Sequence, residues 1–352
     1  MILRLPNPMS AAVWLAFAAP FFLLGAGADR IFGAAVFVLA CAVLYSKPSP
    51  WEARRPSASA LRVFLLLEFL YVVSAVYSAG FNGPQLAAAG RFELFRYAVL
   101  GAFVLYLIRH FDERVRGALE WATAAAVYVA LLFPAADPRG YAAVLCLCWL
   151  LYFSRLRLRF LHAATAVLVV VFSGDPAAWS AAFLVLAAGA CLLVYRELVR
   201  RRERRAAALS FLLGAALLAC PALCRRALGA APQAPLSVTD SVALQFIRRS
   251  PVFGWGPVAA SVPGRSQYLF WLLESGALGA GVILAALLLA GYRLLRAAGG
   301  DPKRLAGAAA FLGSAALMLA SGRFLESDRL FFLTAFLAAG IHETCRAGAA
   351  AP

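Results

Sequence analysis

Apolar runs fill this chain from residue 10 to residue 345, separated by short basic or turn-rich stretches. Read as helices, the runs cover 10–28, 31–46, 60–79, 92–108, 117–133, 138–153, 159–172, 177–195, 207–224, 266–296, 304–320 and 328–345. That makes about twelve segments able to cross roughly 30 Å of hydrocarbon. Three are short, at 31–46, 138–153 and 159–172, and an adjacent pair of such runs can equally form a re-entrant hairpin. Helices are expected because a backbone inside lipid must satisfy its own hydrogen bonds. The period-two alternation of a membrane barrel is not seen.

One stretch, residues 239–296, departs from plain span-and-loop patterning. Val242 and Phe246, and Ala243 and Ile247, recur at i, i+4 and give a short helix over 240–249 one apolar side. Thr239 or Asp240 can cap its start, and Pro251 stops it. Gly254, Gly256 and Pro257 follow as a turn. Arg265 and Ser266 then precede a long apolar helix. The expected fold class is an all-α polytopic membrane protein with about twelve transmembrane helices. One large loop is expected to hold a short amphipathic helix. The chain divides into an N-terminal bundle, 1–224, the loop, 225–265, and C-terminal helices, 266–352.

Composition sharpens this. The 352 residues are 63% hydrophobic with a mean hydropathy of +0.81, too apolar for a soluble domain. A net charge of +16 would suggest nucleic acid in a soluble protein. Here it points to inner-face loops, which collect Lys and Arg, and no nucleic-acid partner is expected. Alternate connections carry the charge, among them Lys47, Arg54 and Arg55, then Arg109, Arg114 and Arg116. Arg155, Arg157 and Arg159 follow, then the run from Arg196 to Arg205, and then Arg293, Arg296, Lys303 and Arg304. The short connections between them hold only Arg30, Arg91 and Arg139. Both termini are therefore expected in the cytoplasm, and the Arg-rich loop 225–265 faces outward.

Arg4, the first apolar run and Gly25-Ala26-Gly27-Ala28 mimic a signal peptide. The spans that follow favour an uncleaved first span. Of seven cysteines, most lie in apolar runs, where Cys acts as a small hydrophobe. Cys220 and Cys224, one helical turn apart, suit either a disulfide or ordinary packing. His110, His162 and His342 fall on or near the cytoplasmic side, and none joins a metal-type cluster. No Walker A or GxGxxG loop occurs, so neither metal nor cofactor is expected.

Several outer-face residues have charge that chemistry can use. Arg248 and Arg249 end the short helix. They suit paired hydrogen bonds to phosphate oxygens, or simply lipid headgroups and the helix dipole. Ser266 can cap the long helix, and Arg265 beside that positive helix end would strengthen an anion site. Arg96 sits inside an apolar run near Arg91 and Glu93. It forms either a structural ion pair with Glu93 or the lining of an anion-binding cavity. Arg323, Glu326, Asp328 and Arg329 make a solvated outer turn or add a cation to the same site. Asp175 suits a helix cap with Pro176 at the first helical position, or a general base. Among the carboxylates Glu93, Asp175, Asp240 and Glu274, Asp240 is best placed near water and substrate. Glu274 lies about 12 Å into its helix, where it should be buried. Ser275, Gly276, Gly279 and Gly281 suit close helix packing.

The stretch resembles the O-antigen ligase/polymerase family of bacterial inner-membrane glycan enzymes. Pro251, Gly254, Gly256 and Pro257 match its P-x-x-G-x-G-P-like turn. Tyr268, Leu269, Glu274, Gly276 and Gly279 match its Tyr-Leu run and Glu-x-Gly-x-x-Gly helix start. Arg265 and Ser266 stand where the family has His and Asn. Phe172-Ser173-Gly174-Asp175-Pro176 lacks the Arg of the family's Ser-Arg-Gly. The resemblance implies transfer of a saccharide from a polyprenyl-diphosphate-linked donor to a glycan or lipid-core acceptor at the periplasmic face of the inner membrane. Arg91, Arg96, Arg248, Arg249 and Arg323 would then hold the diphosphate. Arg265 cannot act as the family's base, because arginine stays protonated, but it can stabilise the leaving diphosphate. Asp240 would take the acceptor proton. The two departures leave a second class open, a non-catalytic transporter, flippase or scaffold for lipid-linked glycans.

Overall fold

The structure, a computed structural model, describes residues 113–132, 139–200, 238–255, 266–321 and 328–349, with single helical positions at 66, 69, 73 and 76. Among them are eight helices and no strand. They are α1 (Glu113–Leu132), α2 (Arg139–Tyr152), α3 (Arg159–Ser173), α4 (Pro176–Arg200), α5 (Val238–Arg249), α6 (Gln267–Ala298), α7 (Pro302–Ser321) and α8 (Asp328–Ala349). Each lies where an apolar run, or the short amphipathic pattern, predicts it. The expected spans 10–28, 31–46, 92–108 and 207–224 lie outside the described residues, as does most of 60–79.

Local chemistry sets the ends. Gly174 closes α3 in the left-handed region, at φ 68°, which costs a residue without a Cβ little. Asp175 then caps α4, its Oδ1 accepting the Ala177 N–H at 2.8 Å, and Pro176 takes the first helical position. Asp301 repeats the device for α7, accepting the Lys303 N–H at 2.9 Å.

Among the described residues, four segments are long and apolar enough to cross a membrane: Val115–Leu132, Pro176–Glu197, Gln267–Ala298 and Pro302–Ala320. Large apolar side chains stand exposed along two of them. Phe183, Leu186 and Leu193 line α4, and Leu284, Leu287 and Leu288 line α6. An outward apolar stripe of this kind is unfavourable in water and suited to lipid tails.

The shortest of the main helices is the centre. α2 has 14 residues and packs against α1, α3, α4, α7 and α8. Trp149, Leu145, Leu147 and Leu150 are fully buried. Close approach depends on small residues in the neighbours. A Cβ on Gly340 of α8 would lie 2.8 Å from Leu119 and 2.9 Å from Trp149. One on Gly307 of α7 would lie 2.6 Å from the Tyr152 Cβ. Tyr152 Oη donates to the Val185 carbonyl of α4 at 2.7 Å.

These contacts define two ends of the bundle. At one, Tyr152 meets Gly307, and Arg304 Nη1 donates to the Cys345 carbonyl at 3.3 Å. Arg159, Arg196 and Arg304 lie within electrostatic reach of Lys303 there. Arg116 and Glu120 pair nearby at 3.7 Å, both buried. Glu120 Oε1 also accepts the Arg155 N–H at 3.2 Å, holding the α2–α3 connection. This is the basic end. At the opposite end, Gly140 of α2 lies against Ser173 and Ala178, so α2 and α4 begin side by side.

Candidate functional site

The far end is built around a helix that does not run through. α6 is interrupted at Gly276, which sits at φ 66°, ψ −171°. In a regular helix the Ala277 and Leu278 N–H groups would donate to the carbonyls of Leu273 and Glu274. Here Ala277 donates to Pro251 at 2.8 Å, and Leu278 donates to Val252 at 3.4 Å. The released Leu273 carbonyl accepts the Trp255 N–H at 2.7 Å. The turn after α5 and the break in α6 thus exchange backbone hydrogen bonds.

The exchange requires two glycines. Gly254 has φ 73°, and a Cβ there would lie 2.6 Å from the Leu273 carbonyl oxygen. A Cβ on Gly276 would lie 2.6 Å from the Gly254 nitrogen and would strike the Val252 carbonyl. The turn itself is tied to α5. Ser250 Oγ donates to the Gly254 carbonyl at 2.9 Å, Trp255 Nε1 donates to the Phe246 carbonyl at 2.8 Å, and the Phe246 and Trp255 rings meet edge to face.

The break redirects α6. Gly291 faces Leu312 of the antiparallel α7. A straight α6 would carry Ser266 roughly 20 Å or more beyond Leu319. Instead Ser266 Oγ lies 3.5 Å from the Leu319 carbonyl. Segment 267–275 therefore folds back over the far end of the bundle, with Phe270, Trp271, Leu273 and Glu274 buried beneath it.

Several expectations need correcting. The run 266–296 is not one continuous helix, and Gly276 serves the break rather than helix packing. Gly279 follows from the same bend, which presses its position against Ser275, while Gly281 has nothing within 4 Å of its position. Ser266 occupies the N-cap of α6 without a side-chain cap bond, because its hydroxyl turns to α7. α5 buries the apolar side that its pattern predicts, with Ala243 fully buried.

The proposed site residues divide accordingly. Arg248 and Arg249 are exposed on the last turn of α5, beside the turn that enters α6. Asp240 lies in the first turn of α5. Arg91, Glu93, Arg96, Arg265, Arg323 and Glu326 lie outside the described residues. Glu274 is 3% exposed, which agrees with its expected burial. Asp175 is engaged as a helix cap. Among the described residues no group of His, Cys, Asp and Glu is placed to hold a metal ion.

Two buried polar groups at this end are not part of the sequence-based site. Gln267 is 1% exposed, and its Oε1 has no hydrogen-bond partner among the described residues. Arg139 is 6% exposed, and its Nε and Nη2 have none either. The sequence treats Arg139 as a lone loop cation. A sharper signal was present: a cation in the first turn of an apolar helix faces the positive dipole end, where it is unfavourable. The chain matches no protein-family model and no curated protein.

Proposed function

We propose that this protein is a membrane glycosyltransferase of O-antigen ligase/polymerase type. It moves a saccharide from a polyprenyl-diphosphate-linked donor to a glycan or lipid-core acceptor at the periplasmic face of a bacterial inner membrane. About twelve spans, cytoplasmic termini and a periplasmic loop at the far end complete the reading. The observation that supports it is the exchange between the Pro251-x-x-Gly254 turn and Gly276. These are the two separate parts of the family-like stretch, and they meet backbone to backbone.

In this reading the diphosphate is already an activated leaving group, and binding it needs cations at the far end. Arg248 and Arg249 stand on the rigid α5–turn unit, with Arg91, Arg96, Arg265 and Arg323 as further donors. Paired guanidinium–phosphate hydrogen bonds orient the donor and stabilise the charge that develops as the sugar leaves. Asp240 receives the acceptor hydroxyl proton.

The Ser266 hydroxyl engages the Leu319 carbonyl and so is turned toward α7. This favours a second reading, a transporter, flippase or scaffold that binds the same donor without chemistry. Purified protein in liposomes, given polyprenyl-diphosphate saccharide and acceptor, separates them. Release of polyprenyl diphosphate with an enlarged glycan is the expected result. Donor that crosses the bilayer or binds intact, with no released diphosphate, would replace transfer by the second reading.

A further inference from the structure

We propose that Arg139, at the paired N-termini of α2 and α4, is the anchor of a binding site for a phosphate-class oxyanion. The residue is 6% exposed. Its Nε and Nη2 lack hydrogen-bond partners among the described residues. Those two nitrogens form the edge of the guanidinium that makes two parallel bonds to one anion. A buried guanidinium edge with no partner among the described residues is unfavourable unless an anion joins it.

Its surroundings are electropositive for a second reason. Arg139 opens α2, and the first N–H groups of a helix lack intrahelical acceptors and carry the positive dipole end. Gly140 brings a second such end alongside. A Cβ there would lie 2.8 Å from both Ser173 Oγ and Ala178 Cβ, so only glycine allows α2 to start against the head of α4. The carboxylate of that turn, Asp175, is used on the Ala177 N–H and forms no ion pair with Arg139. Ser173 Oγ donates to Val170 and accepts from Asp175. A cation opposing a helix dipole, with its two-pronged edge buried and without a partner among the described residues, is the arrangement that a bound anion resolves.

Phosphate chemistry can arrive as the diphosphate of a polyprenyl donor or as a phospholipid headgroup. The first source rests on the transfer reading above; the site does not. The full-length protein in nanodiscs is titrated with inorganic diphosphate and with polyprenyl diphosphate, and its co-purified phospholipid is counted by mass spectrometry. Arg139→Lys keeps the charge and removes the two-pronged edge. It is expected to weaken diphosphate binding about tenfold, with the melting midpoint retained. Loss of bound phospholipid alone keeps the oxyanion site and assigns it to a headgroup. Loss of diphosphate affinity in a protein that transfers no sugar keeps the site while the transfer reading fails. Unchanged affinity and unchanged phospholipid overturn the proposal. Should Arg139→Lys not fold, native protein decides. Diphosphate is expected to slow hydrogen exchange in 139–145 and 173–178, and no slowing overturns the site.

Discussion

The Ala277 N–H donates to the Pro251 carbonyl at 2.8 Å, so a residue within a helix takes its acceptor from a turn elsewhere in the chain. The reciprocal bond, Trp255 to Leu273 at 2.7 Å, makes the turn and the helix break one backbone unit. Gly276→Ala and Gly254→Ala each place a methyl group into that unit at positive φ. Each is expected to cost about 1–3 kcal/mol in reversible unfolding measured in detergent. The double variant should lose less than the sum, because one loss already breaks the shared contact. Full additivity would mean that the two glycines act separately.

Packing on α2 predicts a contrast between two other glycines. Gly307→Ala sets a Cβ against Tyr152 and Phe153 and should cost about 1–3 kcal/mol. Gly281→Ala meets nothing within 4 Å and should be neutral or raise stability by up to about 1 kcal/mol. Equal melting midpoints would show that α7 does not need its close approach.

At the basic end, Glu120 both pairs with Arg116 and accepts the Arg155 N–H. Glu120→Gln leaves a buried guanidinium with less compensation and should destabilise by about 3 kcal/mol. Asp301→Asn, at the partly exposed Arg304 pair, keeps an oxygen for the Lys303 N–H and should cost less than about 1 kcal/mol. Denaturant titration of both variants checks the order.

The two ends of the bundle predict sidedness. Pro176 and Gly300 are both exposed and lie at the far and basic ends. A membrane-impermeant thiol reagent added to intact spheroplasts should label Pro176→Cys directly. It should label Gly300→Cys only after permeabilisation. Labelling of both from one side would remove the periplasmic assignment of the far end.

Arg248 and Arg249 are exposed, so Arg248→Ala and Arg249→Ala should each leave stability within about 0.5 kcal/mol. Affinity for polyprenyl-diphosphate saccharide should nevertheless fall, by about tenfold for the pair. Tryptophan-fluorescence titration of the purified protein measures this. Unchanged affinity would return both residues to a headgroup role.

Hydrophobic patterning located all eight described helices because lipid and buried protein make the same demand on a span. Asp175 and Pro176 likewise announced the α4 start, since capping is local. The break at Gly276 was not legible, because the sequence shows a glycine but not its φ, and its partners come from another segment. The centrality of α2 was hidden for a similar reason. A short apolar run reads alike whether it touches lipid or five helices. Arg139 is the instructive miss. It was counted only among the cations of the short connections, whereas Gly140 draws the helix start into the bundle.

The exchanged hydrogen bonds also bear on how such proteins can be recombined. Segments 251–255 and 273–278 each supply what the other's backbone lacks. Neither is a self-sufficient module, although they belong to separate parts of the chain. A chimaera that imports a foreign segment up to residue 265 would split the pair and leave these polar backbone groups unmet. The natural cassette for exchange therefore runs from the start of α5 through Gly279.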